Sequence, residues 1–132
     1  MILTVELQSS ISLDDQIRNQ LREMIAVGVL AEGQALPSVR QLASDLAVHF
    51  NTVARAYRRL QDEGLLVIGH GRGVFVKAVP RRVRVPAREA RESLGGRLRQ
   101  IFVDARLIGL TPVQTRDLVL SELEQFTRKE RS

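Results

Sequence analysis

The residues of this 132-residue chain with the clearest chemistry gather between Leu46 and Gln61, a stretch with three arginines and no acid. A helix from about Phe50 to Glu63 would turn Val53, Ala56, Tyr57 and Leu60 inward. Its outward face would then offer Asn51, Thr52, Arg55, Arg58 and Arg59, donors suited to phosphate oxygens and base edges. Side chains near the amino-terminal end of such a helix reach the floor of the major groove, while later ones tend to meet backbone. His49, Asn51, Thr52 and Arg55 are therefore expected at the bases, and Arg58 and Arg59 at phosphates. A lone arginine on a helix face is usually just solvated, so this reading depends on the neighbouring elements.

Other basic residues extend the pattern. Arg40, just after the helix-capping Ser38, stands where the first helix of a helix-turn-helix pair crosses the nucleic-acid backbone; an ion pair with Asp45 is the alternative. In Gly69-His70-Gly71-Arg72-Gly73, His70 and Arg72 have the reach to enter a minor groove or touch phosphate. Arg81, Arg82 and Arg84, within PRRVRVP at 80–86, either track the backbone or stay solvated. Tyr57 faces inward by periodicity and reads as core.

Catalytic chemistry finds no comparable support. His49 and His70 are the only histidines, there is no cysteine, and no Ser/His/Asp or close His/Asp/Glu grouping appears. GHGRG lacks the spacing of a phosphate-cradling loop and opens a strand instead of a helix. The acids Asp14-Asp15 are explained by a helix dipole, and Asp62-Glu63 by solvent. The chain is read as a non-enzyme without metal or cofactor.

These residues need elements to position them. Leu3, Val5 and Leu7 alternate with polar residues, which predicts a short amino-terminal strand. Ser12 and Asp15 open a first helix, lined by Ile17, Leu21, Met24 and Ile25, that ends near Gly28. Glu32-Gly33 turns the chain, and Ser38 with Gln41 starts a second helix whose stripe is Val39, Leu42, Ala43 and Leu46. A turn at Ala47 to His49 leads into the arginine-bearing helix, which Gly64 ends. Short strands at Leu66 to Ile68 and Val74 to Val76 flank the glycine-rich tip. Helix-turn-helix followed by hairpin describes a winged helix.

The sequence divides into a winged helix-turn-helix at 1–79, a basic proline-bounded linker at 80–87 and a helical hairpin at 88–132. In the hairpin, Leu94, Leu98, Ile101, Phe102, Ala105 and Ile108 recur at helical spacing. Thr111-Pro112 with Gln114 starts a further helix through Val113, Leu120, Leu123 and Phe126. Two helices cannot bury stripes this wide, so Leu94, Leu98, Ile101, Phe102, Ile108, Leu120, Leu123 and Phe126 are expected to pair with a second copy. The fold class is mostly α with a small β-wing.

Composition agrees with a folded domain, at 44% hydrophobic and 4% aromatic residues, with an aliphatic core. Net charge is +5, with a pI near 10.9, which suits a polyanionic partner. Residues 1–79 nonetheless balance at eight basic and eight acidic side chains, and the excess of twelve over seven lies beyond them. Placement, not bulk charge, must define the binding face. MILTVELQSS lacks the marks of a signal peptide and no apolar run spans a bilayer, so a cytoplasmic protein without a membrane partner is expected.

With its motifs in view, DQIRNQLREMI, LPSVRQLA, NTVARAYRRLQDEGL and GHGRGVFV, the chain resembles the GntR family of bacterial transcription regulators from about Leu13 to Val76. NTVARAY and the tail ARLIGLTPVQTRDLV resemble its YtrA subfamily, whose carboxyl-terminal part is only a dimerisation hairpin. The resemblance implies a homodimer on a palindromic double-stranded DNA operator, commonly repressing its own operon and often adjacent ABC-transporter genes. By position it places DNA contacts on Arg40, His49, Phe50, Asn51, Thr52, His70 and Gly71. Many members carry arginine where Phe50 and Ala54 stand; here the basic residue is Arg55, as in YtrA-like members, and His49 replaces the usual Ser or Asn. Larger relatives hold metal through histidines or pyridoxal phosphate through a lysine, neither of which this tail can do. A small-molecule effector would have to sit elsewhere, for instance at the dimer interface. The rival reading is a winged helix for protein or RNA contact, which the acid-free, arginine-bearing helix disfavours.

Overall fold

The computed structural model describes residues 2–69, 71, 73–77 and 87–131. It forms two compact units, Met1–Val79 and Pro80–Ser132.

In the first unit, α1 (Leu13–Ala26) begins at Ser12, whose hydroxyl accepts the Asp15 N–H at 3.3 Å. Ile17, Leu21 and Ile25 recur at helical spacing and are buried. The residues before it do not form the expected strand. Leu3 and Val5 do pack against the core, while Leu7 is exposed. The backbone polar groups that a strand would pair are taken by two glutamine amides of α1. Thr4 N–H donates to Gln20 Oε1 at 3.1 Å and Thr4 C=O accepts from Gln20 Nε2 at 2.6 Å. Glu6 does the same with Gln16 at 2.8 and 3.0 Å. Side chains thus replace the ladder, and the alternation reflects packing against a helix.

After the turn at Gly33 comes a strand the sequence did not announce, β1 (Ala35–Leu36). Two residues are too short for any period to show. It is one edge of a three-stranded antiparallel sheet, ordered β1-β3-β2, with β2 (Leu66–Gly69) and β3 (Gly73–Val76). The register pairs Leu36 with Val74, Leu66 with Val76 and Gly69 with Gly73. Leu36, Leu66, Val74 and Val76 face the core, while Val67 and its cross-strand partner Phe75 face outward.

Helix α2 (Val39–Leu46) starts at Ser38, which accepts the Gln41 N–H at 3.1 Å. Gln41 does not complete a reciprocal cap, because its amide donates to Asp45 Oδ1 at 2.7 Å. The helix stops at Ala47, held at φ 55°, with Val48 N–H reaching back to Ala43 C=O at 3.0 Å. This left-handed reversal aims α3 (Phe50–Asp62), whose Val53, Ala56, Tyr57 and Leu60 are wholly buried. The Tyr57 hydroxyl donates to Pro37 C=O at 2.7 Å, and burial pushes its phenol well above the usual tyrosine pKa. That bond ties α3 to the segment just ahead of α2. Gly64, at φ 81°, lets Leu65 N–H close on Leu60 C=O at 2.9 Å and returns the chain into the hairpin.

The second unit contains α4 (Arg88–Leu107) and α5 (Pro112–Arg131). Thr111 and Gln114 form a reciprocal cap: Gln114 N–H donates to Thr111 Oγ1 at 3.2 Å and Thr111 N–H to Gln114 Oε1 at 2.9 Å. Arg106 braces the turn through Leu110 C=O and Thr115 Oγ1, both at 3.0 Å. Beyond this turn the two helices scarcely touch, and Ala105 and Thr115 are the buried residues among those described in the unit.

Candidate nucleic-acid interface

The site is built on the outer face of α3. His49 is its amino-terminal cap: Nδ1 accepts the Asn51 N–H at 3.0 Å, the role Ser or Asp more often fills. An accepting Nδ1 places the neutral ring's hydrogen on Nε2, which remains a donor. Phe50 follows, nearly half exposed, an apolar ring at the leading edge of the helix.

Asn51, Ala54, Arg55 and Arg58, spaced i, i+3, i+4, i+7, share one face and line a concavity of about 250 Å³. Asn51, Arg55 and Arg58 are exposed and Thr52 is half-buried. Arg40 is exposed on α2. Arg40, Arg55 and Arg58 enter no ion pair among the described residues. The alternative partner of Arg40, Asp45, instead accepts from Gln41.

Arg59 departs from the expectation. Its guanidinium turns back to α1, pairing with Asp14 at 3.4 Å and, more closely, with Asp15. The Arg59 hydrogen bond holds the Asp15 carboxyl below its ordinary pKa, helped by the Ser12 bond. The same pairing pushes the guanidinium up. Glu63, read as solvated, binds Arg18 at 2.9 Å and Arg22 at 3.0 Å. No local pattern announces these partners, which lie more than forty residues apart in the chain. They redistribute the charge of the first unit: Arg18, Arg22 and Arg59 are paired with acids along α1 and at Glu63, whereas Arg40, Arg55 and Arg58 are in no ion pair among the described residues.

His70, Arg72 and the linker arginines Arg81, Arg82 and Arg84 lie outside the described residues. Gly71 is described, with φ 74°, a conformation that suits glycine at a hairpin tip. Among the described residues no group of His, Cys, Asp or Glu is arranged to hold a metal ion, and no helix is long and apolar enough to cross a membrane.

A helix-turn-helix followed by a β-wing, with Arg40, Arg55 and Arg58 in no ion pair among the described residues, fits the class of DNA-binding transcriptional regulators. The comparisons with known proteins narrow that class. Residues 13–76 match the family described as bacterial regulatory proteins, gntR family. The chain is 29% identical over 109 residues to the HTH-type transcriptional repressor YtrA of Bacillus subtilis, covering 83% of this chain and 82% of that protein. The solved structure of YtrA from Sulfolobus acidocaldarius, a GntR-family transcription factor, is 35% identical, with a TM-score of 0.61 over 78% of this chain and 99% of that one. The AraR DNA-binding domain in complex with operator ORX1 is 26% identical, with a TM-score of 0.51 over 58% of this chain and 98% of that one. The chain belongs to the GntR family of bacterial transcriptional regulators and is YtrA-like.

Proposed function

We propose that the protein is a repressor that binds a palindromic operator as a homodimer, one recognition helix per half-site. The observation that carries the DNA-reading part is the set Asn51, Arg55 and Arg58, exposed on one face without an acidic partner among the described residues. Asn51 suits adenine N6/N7 and Arg55 suits guanine O6/N7, while His49 Nε2 and Thr52 add single hydrogen bonds. Arg58, one to two turns further along, and Arg40 on α2 meet phosphates. By their place in the sequence, His70, Gly71 and Arg72 would reach the flanking groove. Arg59 stays within the protein and braces α3 against α1.

Self-association is supported by the second unit, where the apolar residues expected to pair remain exposed, from 37% for Phe126 to 78% for Ile108. Repression is supported by the likeness to Bacillus subtilis YtrA, and the operator by the likeness to the AraR domain. Repression of its own operon and of adjacent ABC-transporter genes would follow the family pattern.

Binding to a randomised duplex library at several salt concentrations tests the assignment of roles. Arg58→Ala should weaken binding to all sequences alike and make the log–log salt slope shallower by about 1. Asn51→Ala and Arg55→Ala should each relax preference at one position per half-site, at about 1–3 kcal/mol of discrimination. Equal, sequence-independent losses from all three would defeat it. A chain that binds RNA or protein with no salt-dependent DNA affinity would favour the rival reading.

A further inference from the structure

We infer that the winged-helix unit carries a small-molecule site for a cationic amphiphile, a compound with an apolar body and an ammonium head, in the cavity between the amino-terminal segment, β1 and α2. The cavity measures about 590 Å³, within the range of small-molecule sites. Its walls include Leu3, Leu36, Pro37, Leu42 and Leu46, and among the described residues its one formally charged lining group is the Asp45 carboxylate.

That carboxylate accepts one amide hydrogen bond, from Gln41, and enters no ion pair among the described residues. Asp45 is exposed, so a ligand ammonium would gain a solvent-screened charge contact there, and its hydrocarbon would lie against the leucines. An anionic head would meet like charge with no cation among the described lining residues to offset it.

The walls are held before any ligand arrives. Leu36 and Leu42 belong to the buried core. Pro37 is fixed through its carbonyl by Tyr57, and the segment bearing Leu3 is fixed by the paired bonds between Thr4 and Gln20. A preformed wall lowers the ordering cost of binding. The lining also joins α2, the first helix of the reading pair, to β1, which pairs with the wing strand β3. A compound seated here touches both supports of the DNA-reading elements, yet its binding is measured without DNA.

The test is a titration of the full-length ¹⁵N-labelled protein at constant ionic strength with hexyltrimethylammonium, hexyl sulfate and hexanol. Hexyltrimethylammonium should shift the amide resonances of Leu36, Leu42 and Leu46, with a Kd on the order of 1–10 mM for so small a probe. Hexyl sulfate should not. Asp45→Asn, which keeps an acceptor for Gln41, should weaken the ammonium probe about tenfold. Leu46→Trp, with its fold checked by circular dichroism, should fill the cavity and abolish the shifts. Equal binding of the three probes, indifference to Asp45→Asn, shifts confined to residues 88–131, or no shifts at about 10 mM would each overturn the inference.

Discussion

Phe50 places an exposed phenyl ring at the leading edge of α3, beside the donors proposed to read bases. A phenyl ring offers no hydrogen bond, but it makes good apolar contact with the 5-methyl group of thymine. Replacing thymine by uracil at the facing operator position should therefore cost about tenfold in affinity for the wild type. Phe50→Arg should shift preference there towards guanine, and selection from a randomised duplex shows both effects. Uniform tolerance of uracil at every position would sink the proposal. Arg59 gives a second residue-scale prediction. Its pairing lowers the Asp15 pKa, so the pair stabilises the fold above the carboxyl's ordinary value of 3.8 and is lost as pH falls through the depressed one. The thermal midpoint of Arg59→Ala should lie below that of the wild type by a steady margin near neutral pH. Below about pH 4 that margin should shrink. The pair is partly exposed, so salt should narrow it too. The DNA salt slope should not change, in contrast to Arg58→Ala.

The helix-turn-helix illustrates how far local signals reach. Ser38, the stripe Val53, Ala56, Tyr57 and Leu60, and Gly64 each specify a start, a face or a stop within a few residues, and each is found as the sequence reads. Features that depend on a distant partner were not legible. The alternation of Leu3, Val5 and Leu7 is real, but Gln16 and Gln20 claim the backbone of Thr4 and Glu6 and no strand forms. The reading face was legible as donors without acids, whereas the removal of Arg59 from it depends on Asp14 and Asp15 across the core. Between α2 and α3, Ala47 occupies the left-handed region at φ 55°, which costs a residue with a Cβ about 1–2 kcal/mol. Glycine removes that strain but gains freedom in the unfolded chain. Ala47→Gly should therefore raise unfolding stability by about 0.5–1 kcal/mol, read from urea midpoints at unchanged m. A decrease would mean that the turn differs from the one described.

At the scale of the whole molecule, the proposed pairing through α4 and α5 would decide how many recognition helices meet an operator. Each helix is twenty residues long, yet they scarcely touch beyond the turn that Arg106 braces. Among the described residues many of their apolar side chains stay exposed, which supports the proposal that these stripes are an association surface. With a second copy in place, twofold symmetry would present two α3 helices to half-sites about one turn of DNA apart, on the order of 10 bp. The double substitution Leu98→Glu and Ile101→Glu introduces four like charges at such an interface while changing no residue of the winged-helix unit. Sedimentation at micromolar concentration should give a dimer for the wild type and a monomer for the variant, with circular dichroism confirming retained helix. The variant's affinity for an intact palindrome should fall by about 10²–10⁴, to the level of a single half-site, because the linkage between two weak contacts is gone. Its affinity for an isolated half-site should be unchanged, which separates loss of pairing from damage to the reading face. A wild-type monomer, or equal losses on half-site and palindrome, would mean that the exposed stripes serve some other partner.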